Sequence, residues 1–395
     1  MTTYTILIIL SGLVIFSYLF DLFASKTKLP SILLLLLLGI GLRLLSDHFQ
    51  WETINFRKIL PPLGTIGLIL IVFEGSLDLK YDRQKNTLIK GAFAAAFFIL
   101  IATVLVVAFI IHQVSGKEFY LCFINAIPFS VISSTIAIPS VSSLSKKVKE
   151  FVIYESSFSD ILGIILFNFA VSNDQLSFAA FTGLAIDMSL IMLLSFLSCL
   201  FLLYLMGNIQ HQVKFFLIIS ILILVYAIGQ SYHLSSLVLI LAFGLFLNNV
   251  DQIKHLWFRT TFLYKNLSAD LAQLHQLSAE TAFIMRTFFF VIFGFTIDIT
   301  RLDDSNILVN GLFILLAIYM IRFAYLYLFR KENVYPEGFV TPRGLISILL
   351  YYNLPDHLKI HETGTAFLFL TVLGTSIIMT IGLMSGKRNR PVTSS

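Results

Sequence analysis

Residues 151–171 read FVIYESSFSDILGIILFNFAV, and the two carboxylates in that run decide how the chain is to be understood. Glu155 and Asp160 stand inside a stretch long and apolar enough to cross a lipid bilayer. An ionised side chain at the centre of a spanning helix costs roughly 2.5 to 3.5 kcal/mol on insertion scales, so it persists where it pairs, binds or takes up a proton. Asp160 is therefore a functional candidate on physical grounds alone.

The apolarity continues on both sides of that run. The chain is 57% hydrophobic and 12% charged, with a mean hydropathy of +0.90; a soluble domain carries about twice that share of charge. Apolar stretches of about twenty residues recur from Thr3 to the turn before Gly386, each long enough for a hydrocarbon core of roughly 30 Å. They run continuously apolar, without the alternation over about ten residues that marks a membrane β-barrel. The expected class is an all-α polytopic protein of the lipid bilayer. Spans are expected near residues 4–22, 30–45, 60–79, 89–111, 119–144, 151–171, 186–206, 215–228, 234–248, 281–299, 307–328, 339–353 and 365–384, about thirteen in all.

Charge then orients them. Lys26 and Lys28, Lys80 to Lys90, Lys146 to Lys149, Lys214, Lys254 to Lys265, Arg330 and Lys331, and Lys387 to Arg390 follow the odd-numbered spans. Cytoplasmic loops carry such an excess, which puts the amino terminus outside and a short tail, 387–395, in the cytoplasm. Arg43, Arg57 and Lys58 dilute the pattern around the second connection. The net charge of +5 follows loops and forms no basic stripe, so no nucleic-acid partner is expected. The first segment lacks a basic n-region and is expected to be a retained span and not a cleaved signal. Cys122 and Cys199 lie in separate spans without metal-ligand spacing and read as packing residues. Residues 249–280 mix Leu, Trp and Phe with charges of both signs, which suggests an interfacial amphipathic helix.

Two stretches echo each other. VFEGSLDLKYD (72–82) and VIFGFTIDITRLD (291–303) each place a Gly shortly before an Asp at a span end, and the charge pattern puts those ends on opposite sides of the membrane. That is the arrangement of an inverted repeat, with repeats near 1–172 and 213–386 joined by a linker helix near 173–212, all within one transmembrane domain, 1–386. Helix breakers occupy corresponding places in the two halves. FSVISSTIAIPS (129–140) is flanked and ended by Pro128 and Pro139, and YPEGFVTPRGL (335–345) holds Pro336, Pro342 and Gly344. Proline removes an amide donor and clashes with the preceding turn. Both segments should contain unwound backbone, tolerated in a membrane only where protein or a cavity surrounds it.

Spacing sets the chemistry. Ser156 and Asp160 share one face of the sixth span, Glu155 and Ser159 form the adjacent stripe, and Gly163 lets another segment approach. A hard cation takes oxygen ligands, which this face offers as a carboxylate and hydroxyls, with freed carbonyls near Ser134, Thr135 and Ile136 to complete the shell. Desolvation favours the neutral form of a carboxyl group, so a proton and a cation compete for Asp160. The bland alternative makes Asp160 the partner of a buried arginine. Glu155 suits that structural role better, with Arg286 or Arg343 as its partner. Thr135 and Ser159 either ligate the cation or bond back to the helix, and Glu74 either lines an access path or caps a helix. No activated nucleophile accompanies the carboxylates, so no enzyme is expected.

FEGSLDL (73–79), ESSFSDILGI (155–164), FFFVIFGFTID (288–298) and TPRGL (341–345) resemble, in order and spacing, the monovalent cation:proton antiporter superfamily, especially its sodium/proton exchanger branch. The resemblance implies thirteen spans in two inverted repeats, two broken helices that cross, a homodimer and an elevator-like motion. It further implies Asp160 as carrier of cation and proton, Ser156 and Thr135 as further cation ligands, and Glu155 as partner of a core arginine. Ser159 stands where the family's Glu-Ser-x-x-Asn-Asp run has Asn, and Ile136 where many members have Asp. The implied function is alternating-access exchange of a monovalent cation, expected to be Na+, for H+, one for one and electroneutral, in the inner membrane and in the service of pH homeostasis. No cofactor is implied beyond transported Na+, K+ or Li+ and H+. A K+ efflux antiporter or a cation-conducting pore of the same fold is the alternative.

Overall fold

The computed structural model describes residues 3–27, 30–49, 56–77, 79, 83–141, 144–173, 178–208, 215–232, 234–253, 255–264, 266–297, 305–330, 334–360 and 364–385. Within them the elements are helical, and no strand occurs among the described residues. In chain order they are α1 (Thr3–Thr27), α2 (Ser31–His48), α3 (Phe56–Leu77), α4 (Asn86–Ser115), α5 (Phe119–Ser130), α6 (Ser134–Ser140), α7 (Lys146–Ser172) and α8 (Phe178–Asn208), then α9 (Phe215–Ser231), α10 (Ser236–Asn248), α11 (Leu256–Phe262), α12 (Leu267–Thr296), α13 (Ser305–Tyr325), α14 (Leu345–Tyr352) and α15 (Thr365–Ser385). Seven stretches among the described residues are long and apolar enough to cross a membrane, and four shorter apolar helices accompany them. Helix α7, 27 residues long, carries the two carboxylates Glu155 and Asp160. The tail 387–395, the loop charges Lys28, Lys80, Lys214, Lys254, Lys265 and Lys331, and the boundary residues Asp78, Asp82, Asp298 and Asp303 lie outside the described residues.

Contacts divide the chain into two compact units. One comprises Met1–Pro61, Thr87–Gly163 and Thr287–Ser395, the other Pro62–Asn86 and Ile164–Arg286. These units interleave along the chain, so they are a different division from the consecutive repeats expected at 1–172 and 213–386; contact density and internal duplication are separate properties.

In the first unit, glycines set the closest helix contacts. A side-chain carbon on Gly39 would strike the Val291 carbonyl, and one on Gly294 would strike the Leu36 carbonyl, so α2 and α12 touch backbone to backbone. Arg43 extends from α2 to accept duty at the end of α12, donating from Nη1 to the carbonyls of Phe295 (3.3 Å) and Ile297 (3.1 Å). Those carbonyls lie where a helix runs out of amide partners. Arg43 thus breaks the loop-charge pattern because it caps a neighbouring helix. A second reciprocal contact joins α13 to α15, with Gly311 against Leu370 and Gly374 against Leu315.

In the second unit, α10 packs against α8 and α9. It is apolar on all sides and buried from Ser236 to Gly244, as expected of a helix enclosed by others. Asn248 and Asn249 at its end donate to the carbonyls of Leu77 (2.6 Å) and Leu79 (3.0 Å), so the carboxyl-terminal ends of α3 and α10 meet. The amphipathic segment expected over 249–280 divides differently. Only α11 is separate, with Leu256 and Trp257 exposed and Phe258 buried. Residues from Leu267 onward belong to α12, because neither Pro nor Gly interrupts the chain before Gly294.

Replacing Gly294 with Val should force α2 and α12 apart and destabilise the protein by about 1–3 kcal/mol, the usual range for overpacking. Gly41→Ala, where nothing lies within 4 Å of an added carbon, should leave stability unchanged or raise it by up to about 1 kcal/mol. Thermal unfolding midpoints of the purified protein in detergent would separate the two.

Candidate ion-binding site

The expected break in the fifth span falls at 131–133, between α5 and α6, a little beyond Pro128. Both prolines sit inside short helices, and the extended link between them is held from outside. Its counterpart, 340–344, precedes α14 and is extended at Gly344.

The two unwound segments satisfy each other. Ser133 N–H donates to the Pro342 carbonyl at 2.8 Å. The Arg343 guanidinium crosses to the end of α5, donating from Nε to the Phe129 carbonyl (2.8 Å) and from Nη2 to the Ser130 carbonyl (3.1 Å). Its Nη1 bonds the carbonyl and hydroxyl of Thr341, and its backbone amide donates to Thr375 Oγ1 at 2.9 Å. A cation at the carboxyl end of a helix also offsets the partial negative charge there. The crossing is tight: a carbon added to Gly344 would lie 2.6 Å from Ser133 Oγ and 2.8 Å from Ile136 Cδ1.

Helix α7 forms the third wall. At Gly163 an added carbon would collide with the Val131 side chain, so glycine allows the link to lie against the helix. One turn earlier, Ser159 Oγ accepts the Ile132 amide at 2.9 Å, and Asp160 Oδ2 accepts the Ser134 amide at 3.2 Å. These amides have no carbonyl four residues back in a continuous helix, and α7 supplies their acceptors. Asp160 is 9% exposed, and its Oδ1 has no hydrogen-bond partner among the described residues. Buried polar atoms are otherwise almost always paired. A carboxylate with one oxygen braced and the other open calls for a proton or a cation.

The remaining candidates take distinct positions. Ser156 is buried on the face of α7 that it shares with Asp160 and donates to the Val152 carbonyl at 2.7 Å. The Thr135 hydroxyl shares a hydrogen bond with Ser133 Oγ at 2.8 Å, within the turn that begins at the Asp160-bound amide. Ser159 braces the link. Glu74 and Arg286 pair with each other at 3.7 Å in the second unit.

Glu155 departs from expectation. Its partner is Arg322 of α13, which forms a bidentate pair with Oε1 at 2.7 Å and Oε2 at 2.9 Å. Neither Arg343 nor Arg286 fills that role, the first because backbone carbonyls absorb its guanidinium and the second because Glu74 takes it. Arg322 goes unremarked in the sequence-based expectation. Yet a lone arginine within the apolar run IYMIRFAY is the same signal as Asp160. Both members of the pair are fully buried, and Arg322 Nε is satisfied by the Glu337 carbonyl at 3.1 Å.

Residues 11–385 match the family model described as sodium/hydrogen exchanger, transmembrane. Among solved structures, the sodium proton antiporter MjNhaP1 from Methanocaldococcus jannaschii at pH 8 aligns with a TM-score of 0.74 at 20% identity, over 96% of this chain and 100% of that one. The electron-microscopy map of the same antiporter aligns with a TM-score of 0.68 at 16% identity, over 99% of this chain and 100% of that one. At these identities the likeness is one of fold. A search of curated proteins gives no match.

Removing one partner of a buried ion pair strands the other's charge, whereas replacing both with apolar groups is far better tolerated. Arg322→Met should therefore destabilise the protein by about 3–5 kcal/mol, and Glu155→Leu combined with Arg322→Met should recover most of that loss. Thermal unfolding of the two single variants and the double variant is the check.

Proposed function

Because the chain belongs to the sodium/hydrogen exchanger family, we propose that it exchanges Na+ for H+ through Asp160, which is protonated in one half of the cycle and cation-bound in the other. The observation that carries this is the buried carboxylate with one open oxygen at the crossing of two broken helices. Ser156 and carbonyls of the link and of the turn at Thr135 would complete an oxygen shell around the cation. Pro139 cannot donate to the carbonyl four residues earlier, so the Thr135 carbonyl is free of that helical bond. The fully paired Glu155 and Arg322 keep the helices together and leave Asp160 as the carrier. One carboxylate that takes either ion, one at a time, makes the exchange one for one and electroneutral.

In this reading the chain is built of two inverted repeats near 1–172 and 213–386. It works as a homodimer in the inner membrane, with its amino terminus outside and its carboxyl terminus in the cytoplasm, by elevator-like alternating access, and serves pH homeostasis. Ile136 is buried and apolar beside the link. The site therefore holds one carboxylate where an Asp at that position would add another, and choice among Na+, K+ and Li+ rests on the fit of the oxygen shell.

Proteoliposomes loaded with a pH-sensitive dye should dissipate a pH gradient on addition of Na+, without generating a membrane potential. Asp160→Asn should reduce this to background; a fully active variant would remove the proposal. Lowering pH loads Asp160 with protons, so the apparent KM for Na+ should rise by about tenfold per pH unit once the proton dominates. At about one hundred times its Kd, Na+ should stabilise the wild type by about 2.7 kcal/mol and Asp160→Asn not at all. Flux driven by K+ but not by Na+ would instead favour a K+ antiporter.

A further inference from the structure

Beyond Arg322, the span that contains α13 changes its winding and closes with one π-helical turn, Leu326–Arg330. Such turns are rare, and they cluster at functional sites. This one directs Arg330 onto two partners. The guanidinium carbon lies 3.7 Å over the ring centroid of Phe151 in α7, and Nη1 forms an ion pair with Glu337. Phe151 is four residues before Glu155 and lies on the same face of α7. Glu337 is buried, and its backbone carbonyl accepts Arg322 Nε. The three donor directions of Arg322 are thus divided, two toward Glu155 and one toward Glu337.

We propose that Glu337 and Arg330 are positioning residues of the ion site. Their pair fixes the peptide that orients Arg322, and so holds the Arg322 charge against Glu155, five residues along α7 from Asp160. This rests on the exchange function proposed above. Packing secures the opposite side of the same loop. Tyr335 donates to the Gly382 carbonyl at 2.7 Å, Phe339 meets Phe323 edge-on at 5.1 Å, and Gly338 leaves room only for the Phe323 ring. The side facing α7 is secured by Arg330 and Glu337. Without that side-chain pair the Glu337 peptide is free to turn, its carbonyl moves off Nε, the fork shifts on Glu155, and the Arg322 charge is less closely balanced near Asp160. In a low-dielectric interior that charge opposes cation binding.

The test is Na+-driven proton flux in proteoliposomes of Glu337→Gln, Arg330→Met, their double variant and Arg330→Lys, each with its thermal midpoint. Either neutralised variant should raise the apparent KM for Na+ by about fivefold or more, with kcat within about twofold, and the double variant should be no worse than either single. Arg330→Lys, which keeps the charge over Phe151, should stay within about twofold of wild type. Glu337→Asp keeps the charge but shortens its reach, and should show the same KM rise if Glu337→Gln does not fold. Wild-type KM in the neutral variants, multiplicative losses in the double variant, or lowered thermal midpoints with a fall in kcat alone would overturn the clamp. Absence of flux in wild-type vesicles overturns the exchange function and the clamp with it, whereas wild-type flux with unchanged KM in the variants overturns the clamp alone.

Discussion

The crossing of two unwound segments depends on one guanidinium. Backbone that leaves the helix inside a membrane exposes donors and acceptors that lipid cannot satisfy, each at a cost of several kcal/mol. Arg343 removes that cost on one side by taking the Phe129 and Ser130 carbonyls together. On the other side the acceptors are Ser159, Asp160 and the Pro342 carbonyl. Arginine suits the first task because its planar fork reaches two carbonyls at once and stays charged. Gly344 is the steric counterpart, since any side chain there would occupy the space of Ser133. With the backbone accounted for in this way, the site can contain a carboxylate whose second oxygen is left open.

That open oxygen has meaning only beside the group that lacks one. Glu155 and Asp160 lie on the same helix, both buried, yet their environments differ in kind. Glu155 meets a guanidinium with both oxygens and is compensated. Asp160 meets a single amide with one oxygen. A cation bound at Glu155 would have to displace Arg322 and leave that guanidinium stranded. The unpaired one has no such partner to strand. Division of labour between two acids thus follows from what each one faces.

Much of this was legible in the residues. Continuous apolar runs require helices in lipid, the acids in ESSFSD mark the site, and TPRGL marks a backbone that cannot be helical throughout. The position of the first break was less legible. Pro128 and Pro139 draw attention to themselves, but proline is accommodated in α5 and α6, while the link forms where α7 and the second segment supply partners. Tertiary acceptors place it, and no local pattern encodes them. Arg322 was visible as an intramembrane charge, and its partner was not, because three arginines compete for two carboxylates and only geometry assigns them. Arg43 shows the converse: a charge that reads as topology is a helix cap.

The serine at 159 adds a further constraint. A serine side chain is shorter than the asparagine of the resembled family pattern, so it reaches the Ile132 amide only if α7 lies close to the link. Gly163 permits that approach, as any larger residue there would meet Val131. The same closeness puts Asp160 on the Ser134 amide at the start of α6. An ionised carboxylate accepts a hydrogen bond more strongly than a protonated one, so in the proposed exchange the grip of α7 on the link depends on which ion Asp160 holds. Under that proposal, occupancy and backbone geometry are coupled through a single amide, without a relay across the rest of the protein.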